Sequence, residues 1–249
     1  MINYLSYGEQ VESNLKEPQN TPEIKTPCGP GWLEYKLNTQ EMDYLWRCID
    51  NVDKKPENKI NSNLAGNIDS TFFLEDKDDW FFNNTLTPLT NFYENSFANE
   101  SKKAPLFSKK DRCCISFYRN MWWVNFQKQY EFNPLHNHDG LYSFVIWLKI
   151  PYEWKEQNNS QDTNSKLKGS FSFHYLNIFG EPSSSVYALD KGFEGTLLFF
   201  PSKLNHQVYP FYNCDEYRIS ISGNIFLDET YTVDDSEESK NQGGVWLMP

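Results

Sequence analysis

Apolar and polar positions change their period twice along this chain. Residues 1–30 keep no steady period, are largely polar and contain Pro18, Pro22, Pro27 and Pro30, so residues 1–37 read as an irregular N-terminal arm. From Asn38 the spacing becomes helical. Met42, Leu45, Trp46, Ile49 and Val52 recur behind a cap at Asn38 or Thr39 and predict an amphipathic helix over 39–52. Residues 53–63 are a polar connection. A second helical stretch, 78–99, is marked by Trp80, Phe81, Leu86, Leu89, Phe92, Tyr93 and Phe97, with Pro88 as a kink. The segment 38–110 is thus expected to be helical and packed along one side of the core.

After Lys110 the pattern turns to short aromatic and β-branched runs separated by Gly, Pro, Asn and Asp. Six strands are expected at 113–126, 142–150, 170–178, 185–189, 195–200 and 217–227, inside a core unit spanning 111–230. Their spacing points to a sandwich or barrel, and specifically to a jelly roll. The stretch 155–169 reads as a solvated loop, 231–249 as a polar tail, and no internal repeat is visible.

Composition narrows the partners. The 249 residues carry a net charge of −11, which argues against nucleic acid, since phosphate backbones call for a concentrated basic patch. Aromatics make up 17% of the chain, enough for a sizeable core despite its polar average. The N-terminus has neither a basic start nor an apolar run, and no uncharged stretch is long enough for a bilayer, so a cytoplasmic protein without membrane contact is expected. Five cysteines, Cys28, Cys48, Cys113, Cys114 and Cys214, lack CxxC spacing and read as reduced thiols. Oligomeric state is not written in the sequence.

The candidate chemistry sits on the four histidines. His136 and His138 are two apart in PLHNHDG, and side chains two apart on a strand share a face. An HxH pair alone is weak evidence, because a polar role in a turn is commoner than metal ligation. His206, after the strand-and-turn unit beginning at Gly195, supplies a third ligand. Twelve residues on, Arg218 and Ser220 share a strand face, the first a rigid fork for a carboxylate and the second a hydroxyl beside it. The plainer reading of Arg218 is a surface ion pair with Asp215 or Glu216. His174 is read as a strand histidine, hydrogen-bonded or exposed, and not a ligand.

These stretches resemble a family: the 2-oxoglutarate- and Fe(II)-dependent oxygenases, in particular prolyl 4-hydroxylase-like members found in bacteriophages. The resemblance rests on NPLHNHDGLYSFVIWLKIP (133–151), EGTLLFFPSKLNHQVYPF (194–211) and EYRISISGNI (216–225), with NLAGNI (63–68) as a fainter echo. It implies a cupin-like double-stranded β-helix with Fe(II) held by His136, His138 and His206. It further implies 2-oxoglutarate on Arg218 and Ser220, with Asn125 near the cosubstrate or a ligand ring. O2 would be the oxidant, and succinate and CO2 would leave as a peptide or small molecule is hydroxylated, prolyl hydroxylation being the nearest analogy. The sequence departs from the family where a carboxylate is usual, at His138. Either His138 ligates, giving three neutral ligands, or a bulge turns Asp139 inward.

Two other classes fit parts of the pattern. A three-histidine cupin-type dioxygenase would not use 2-oxoglutarate, and a jelly-roll binding or virion-associated module would need no catalysis. Neither gives Arg218 and Ser220 a reason to follow the histidines.

Overall fold

The computed structural model describes residues 31–97, 117–158 and 165–227. Most of the expected N-terminal arm, residues 98–116 and the polar tail lie outside them, as do Cys28, Cys113 and Cys114. The helix expected at 39–52 is α1 (Thr39–Asp50). Asn38 Oδ1 accepts from Glu41 N–H at 2.9 Å while the Glu41 carboxylate accepts from Asn38 N–H at 2.8 Å, a reciprocal cap that starts the helix sharply. Leu45 and Ile49 are buried on its inner face.

The second helical stretch begins as a short 3-10 turn (Lys77–Asp79), passes through a π-helical turn (Phe82–Leu86) and continues as α2 (Thr87–Phe97). Buried Asp76 accepts from the amides of Phe81 and Phe82 at 3.0 and 2.8 Å, satisfying donors a helix start leaves open. Pro88, expected as a kink, lies just after the π-helical turn, where the helix has already left the regular ladder that a proline cannot join. Phe92, expected inward, is exposed.

Among the described residues ten strands form two sheets. They are β1 (Leu33–Lys36), β2 (Thr71–Leu74), β3 (Phe117–Gln127), β4 (Asn133–His136), β5 (Tyr142–Lys149), β6 (Ser170–Leu176), β7 (Pro182–Ala188), β8 (Thr196–Pro201), β9 (Asn205–Val208) and β10 (Arg218–Leu227). The larger sheet runs β1-β8-β5-β10-β3-β2 and the smaller β4-β9-β6-β7, every pairing being antiparallel. From β3 to β10 the chain alternates between the sheets except at the β6–β7 hairpin, which stays in the smaller one, and this path is the double-stranded β-helix. The six expected strands are present, with ends moved by up to three residues among those described; 113–116, the expected start of the first, lie outside the described residues. Four short ones were not anticipated: β1 inside the supposed irregular arm, β2 inside the supposed helical segment, and β4 and β9, which carry histidines. Each has four residues, too few to establish a period of two.

The larger sheet separates two cores. Its outer face, with Phe72, Trp122, Val124, Phe144, Ile146, Phe199 and Ile221, packs against Leu45, Ile49, Phe81, Leu86 and Tyr93 of the helical layer. Its inner face meets the smaller sheet through Val145, Trp147, Leu198 and Phe200 against Phe171 and Phe173. Trp147 thus belongs to the barrel interior and Phe144 to the helix side, as their odd and even positions on β5 require. The 155–169 stretch opens with the single helical turn α3 (Trp154–Asn158), whose Gln157 is buried and holds both the amide and the carbonyl of Tyr212.

Candidate active site

At one end of the smaller sheet β4 and β9 put His136 directly beside His206, and β6 puts Phe173 on the other side of His206. His138 lies in the turn beyond β4, not on the strand itself. Its backbone amide donates to Ser202 O at 2.9 Å, and this tie to the β8–β9 turn, instead of strand alternation, brings its ring inward. The ligand-capable nitrogens of His136, His138 and His206 all lie within 4.8 Å of one another.

Two of the three rings have assigned tautomers. His136 Nδ1–H donates to Pro134 O at 2.7 Å and His206 Nδ1–H to Leu204 O at 2.8 Å, which leaves each Nε2 with a free lone pair. His138 Nε2 stands 3.2 Å from His206 Nε2. Since His206 can only accept there, His138 either donates a proton to it or faces the same cation. Burial holds all three rings neutral: it lowers the pKa of His136, takes His138 down to about 3 with His136 adding to the effect, and pushes His206 well below its ordinary value. Three neutral, oriented imidazoles fit a divalent transition metal.

Asp139, the alternative to His138, does not turn in. Its side chain is 92% exposed and pairs with Lys203 at 3.1 Å, so the structure contains no inward bulge there. His174 accepts or donates at Ser172 Oγ, 2.8 Å away, on the opposite face of β6 from Phe173, and takes no part in the cluster.

Below the histidines one lane of the barrel interior is polar. Asn125 and Gln127 on β3 stand opposite Ser220 and Arg218 on β10. Asn125 Nδ2 donates to Ser220 Oγ at 3.3 Å, and its Oδ1 accepts from Thr71 on β2 at 2.9 Å. Arg218 is 1% exposed. Its Nε and Nη2 donate to Gln127 Oε1 at 3.2 and 2.8 Å, Nη2 also to Tyr209 O at 3.0 Å, and Nη1 to Tyr152 Oη at 2.6 Å, with Phe211 beneath the guanidinium. The surface ion pair weighed from sequence is not formed: Glu216 binds Lys149 and Asp215 accepts from Gln129. Gln127, Tyr152 and Tyr209 were missed by sequence reasoning. Gln127 was signalled by its place two residues after Asn125, whereas Tyr152 and Tyr209 arrive only through the fold.

A cavity of about 500 Å³ opens beside His136 and His138 and reaches Asn125. Its outer wall is residues 61–71, including the NLAGNI stretch, held to the approach of β4 by the paired amides and carbonyls of Asn67 and Phe132. Arg218 and Ser220 do not border it.

Residues 121–224, less than half of the chain but containing all these candidate groups, match the family described as putative 2OG-Fe(II) oxygenase. This match and the three-histidine cluster support a 2-oxoglutarate- and Fe(II)-dependent oxygenase. Solved structures of similar fold include a prolyl-4-hydroxylase of Pseudomonas putida, at 12% identity and TM-score 0.43, covering 78% of this chain and 90% of that one. Another is the viral collagen prolyl hydroxylase of Paramecium Bursaria Chlorella virus-1 in complex with 2OG, at 15% identity and TM-score 0.44, covering 78% and 94%. A third is the Trichoplax adhaerens prolyl hydroxylase with a hypoxia inducible factor peptide fragment, at 13% identity and TM-score 0.46, covering 81% and 84%. No curated protein matches the chain. No helix among the described residues is long and apolar enough to cross a membrane.

Proposed function

We propose that the chain hydroxylates a peptide or small molecule with His136, His138 and His206 as its three metal ligands and Arg218 as the anchor of the 2-oxoglutarate distal carboxylate. The observation that carries this reading is the company Arg218 keeps. It is a fully buried cation whose four hydrogen bonds among the described residues go to neutral groups, with no carboxylate among those partners. A buried charge without an opposite charge is costly, and an anionic ligand would remove that cost. One N–H of Nη1 stays available for it.

Placement supports the same assignment. Tyr209, whose carbonyl holds Arg218, follows His206 by three residues, roughly 10 Å of extended chain. A five-carbon dicarboxylate chelating at the histidines would point its far end toward the guanidinium. Asn125 and Ser220 lie between and would orient it, while Phe171, Phe173 and Phe200 around His206 keep water from the ring side. Bound Fe(II) with 2-oxoglutarate and O2 would supply the oxidation, one oxygen atom entering the substrate and the other succinate as CO2 leaves. The protein's part is to present three unprotonated nitrogens and to fix the cosubstrate.

The test is anaerobic titration of Fe(II)-loaded protein with 2-oxoglutarate, following the weak visible band of the chelate. A saturable band, lost in Arg218→Ala and weakened in Arg218→Lys while both variants retain iron and a cooperative melt, is expected. Retained iron with no band in the wild type would overturn the reading in favour of a three-histidine dioxygenase that does not use 2-oxoglutarate.

A further inference from the structure

Two buried hydroxyls lie where apolar side chains would serve the core equally well. Ser143 on β5 shares the inward face of Val145 and Trp147, two and four residues on, and is 1% exposed. Ser202, in the β8–β9 turn, is fully buried. Their Oγ atoms stand 2.9 Å apart, and Ser143 Oγ–H donates to Asn224 Oδ1 on β10 at 2.8 Å. A hydroxyl has one proton to give, so Ser202 donates to Ser143 and the chain runs one way, from Ser202 through Ser143 to Asn224. Asn224 is half-buried and borders the cavity.

Two of the three clustered histidines are fastened to the turn that holds Ser202. The Ser202 carbonyl accepts from His138 N–H at 2.9 Å and its amide donates to Leu141 O at 3.0 Å, so the turn carrying His138 closes on this one residue at both ends. Leu204 O fixes the His206 ring through Nδ1 at 2.8 Å, and Leu204 N–H donates to Pro201 O at 2.9 Å within the same turn. A second side-chain tie between the two turns, Asn137 Nδ2 to Asn205 Oδ1 at 3.0 Å, is exposed, and water competes there for both partners. The serine pair is the tie that water does not reach.

Resting on the three-histidine reading of the metal site, we infer that Ser143 and Ser202 are positioning residues for it: their hydrogen bond sets where the Ser202 carbonyl holds the His138 turn, and Asn224 ends this chain at the cavity wall. His138 depends on such a tie more than its partners do. The β4–β9 register places His136 against His206, whereas His138 lies beyond the strand and takes its position from Ser202. Breaking the serine pair leaves the sheets intact and frees the third ligand. Loss of a partner that orients a metal ligand costs roughly 10–100-fold in metal affinity.

The test is equilibrium dialysis against Co(II), with the visible ligand-field spectrum of the loaded protein and a melt of the metal-free chain. Wild type is compared with Ser143→Ala, Ser202→Ala, the double variant and Asn224→Leu. Each serine variant is expected to bind Co(II) about tenfold more weakly and with altered bands. The double variant should be no more than about twofold worse than either, because both changes remove one hydrogen bond. Folded variants that bind within about twofold of wild type with an unchanged spectrum, whatever their melting temperature, would reduce the serines to core packing and overturn the inference. Losses that multiply to about 100-fold in the double variant would overturn it too, since the residues would then act separately. Should a serine variant not fold, Asn224→Leu at the half-buried end carries the test: weaker binding with altered bands supports the chain, and wild-type binding and spectrum overturn it. A wild type that binds no Co(II) is a different failure, needing no variant, and would overturn the three-histidine site itself.

Discussion

Gln127 Oε1 accepts from both Nε and Nη2 of Arg218, so an amide occupies the place on this buried fork where a carboxylate would ordinarily sit. The neutral partner leaves the positive charge available to a ligand.

Replacing Gln127 by Glu would put a carboxylate on that fork without changing its size. Charge-assisted bonds are stronger than neutral ones by roughly 1–2 kcal/mol. The Gln127→Glu variant is therefore expected to bind 2-oxoglutarate about ten times more weakly, with no loss in melting temperature. Unchanged affinity in the anaerobic titration would show that Arg218 does not hold the cosubstrate.

At the metal, His138 and Asp139 should behave oppositely. His138→Ala removes one of three converging nitrogens and is expected to weaken Fe(II) or Co(II) binding by about 100-fold or more, because loss even of a ligand's supporting partner costs roughly 10–100-fold. Asp139→Asn removes only an exposed pairing with Lys203 and should leave metal affinity within about twofold. Equilibrium dialysis distinguishes the two, and the reverse order would reinstate Asp139 as the ligand.

The buried histidines also set a pH dependence. Their folded-state pKa values are depressed, so below the ordinary histidine value of about 6.5 the unfolded chain binds protons that the native one refuses. The metal-free protein should be at full stability above that pH and lose stability as pH falls toward the depressed value of His138, about 3. Urea midpoints that stay flat between pH 7 and 5 would contradict this. Metal loading needs the same unprotonated rings, which burial keeps available in the folded protein, so it should persist below about pH 6.5 for as long as the chain stays folded.

The cavity wall depends on Gly66. A Cβ there would lie 2.1 Å from Asn133 Oδ1, an atom already buried without a hydrogen-bond partner. Gly66→Ala must push the wall or that amide aside, a cost of about 1–3 kcal/mol, or a melting point lower by about 2–12 °C in a chain of this size. An unchanged melt would mean that the wall yields freely.

Much of this was readable one residue at a time. Long amphipathic or aromatic runs such as α1, β5 and β10 announce themselves because their period repeats often enough to be seen. The facing of Arg218 and Ser220 follows from alternation alone. Short elements escape that logic: β4 and β9 have four residues each, and nothing local marks them as strands until the larger sheet is there to receive their partners.

The two-period layout, the excess of acidic residues and the groups available for chemistry (three histidines, an arginine and a serine in the order H-x-H, distant His, R-x-S) are legible in the chain without its fold. That His138 enters from a turn tied to Ser202, that Asp139 faces solvent and that Arg218 is buried among neutral partners are properties of the folded chain. The physical reason is that these depend on pairings between residues 64 to 91 apart, His138 with Ser202 and Arg218 with Gln127 among them. Local propensity carries no information about such partners, and antiparallel register supplies it.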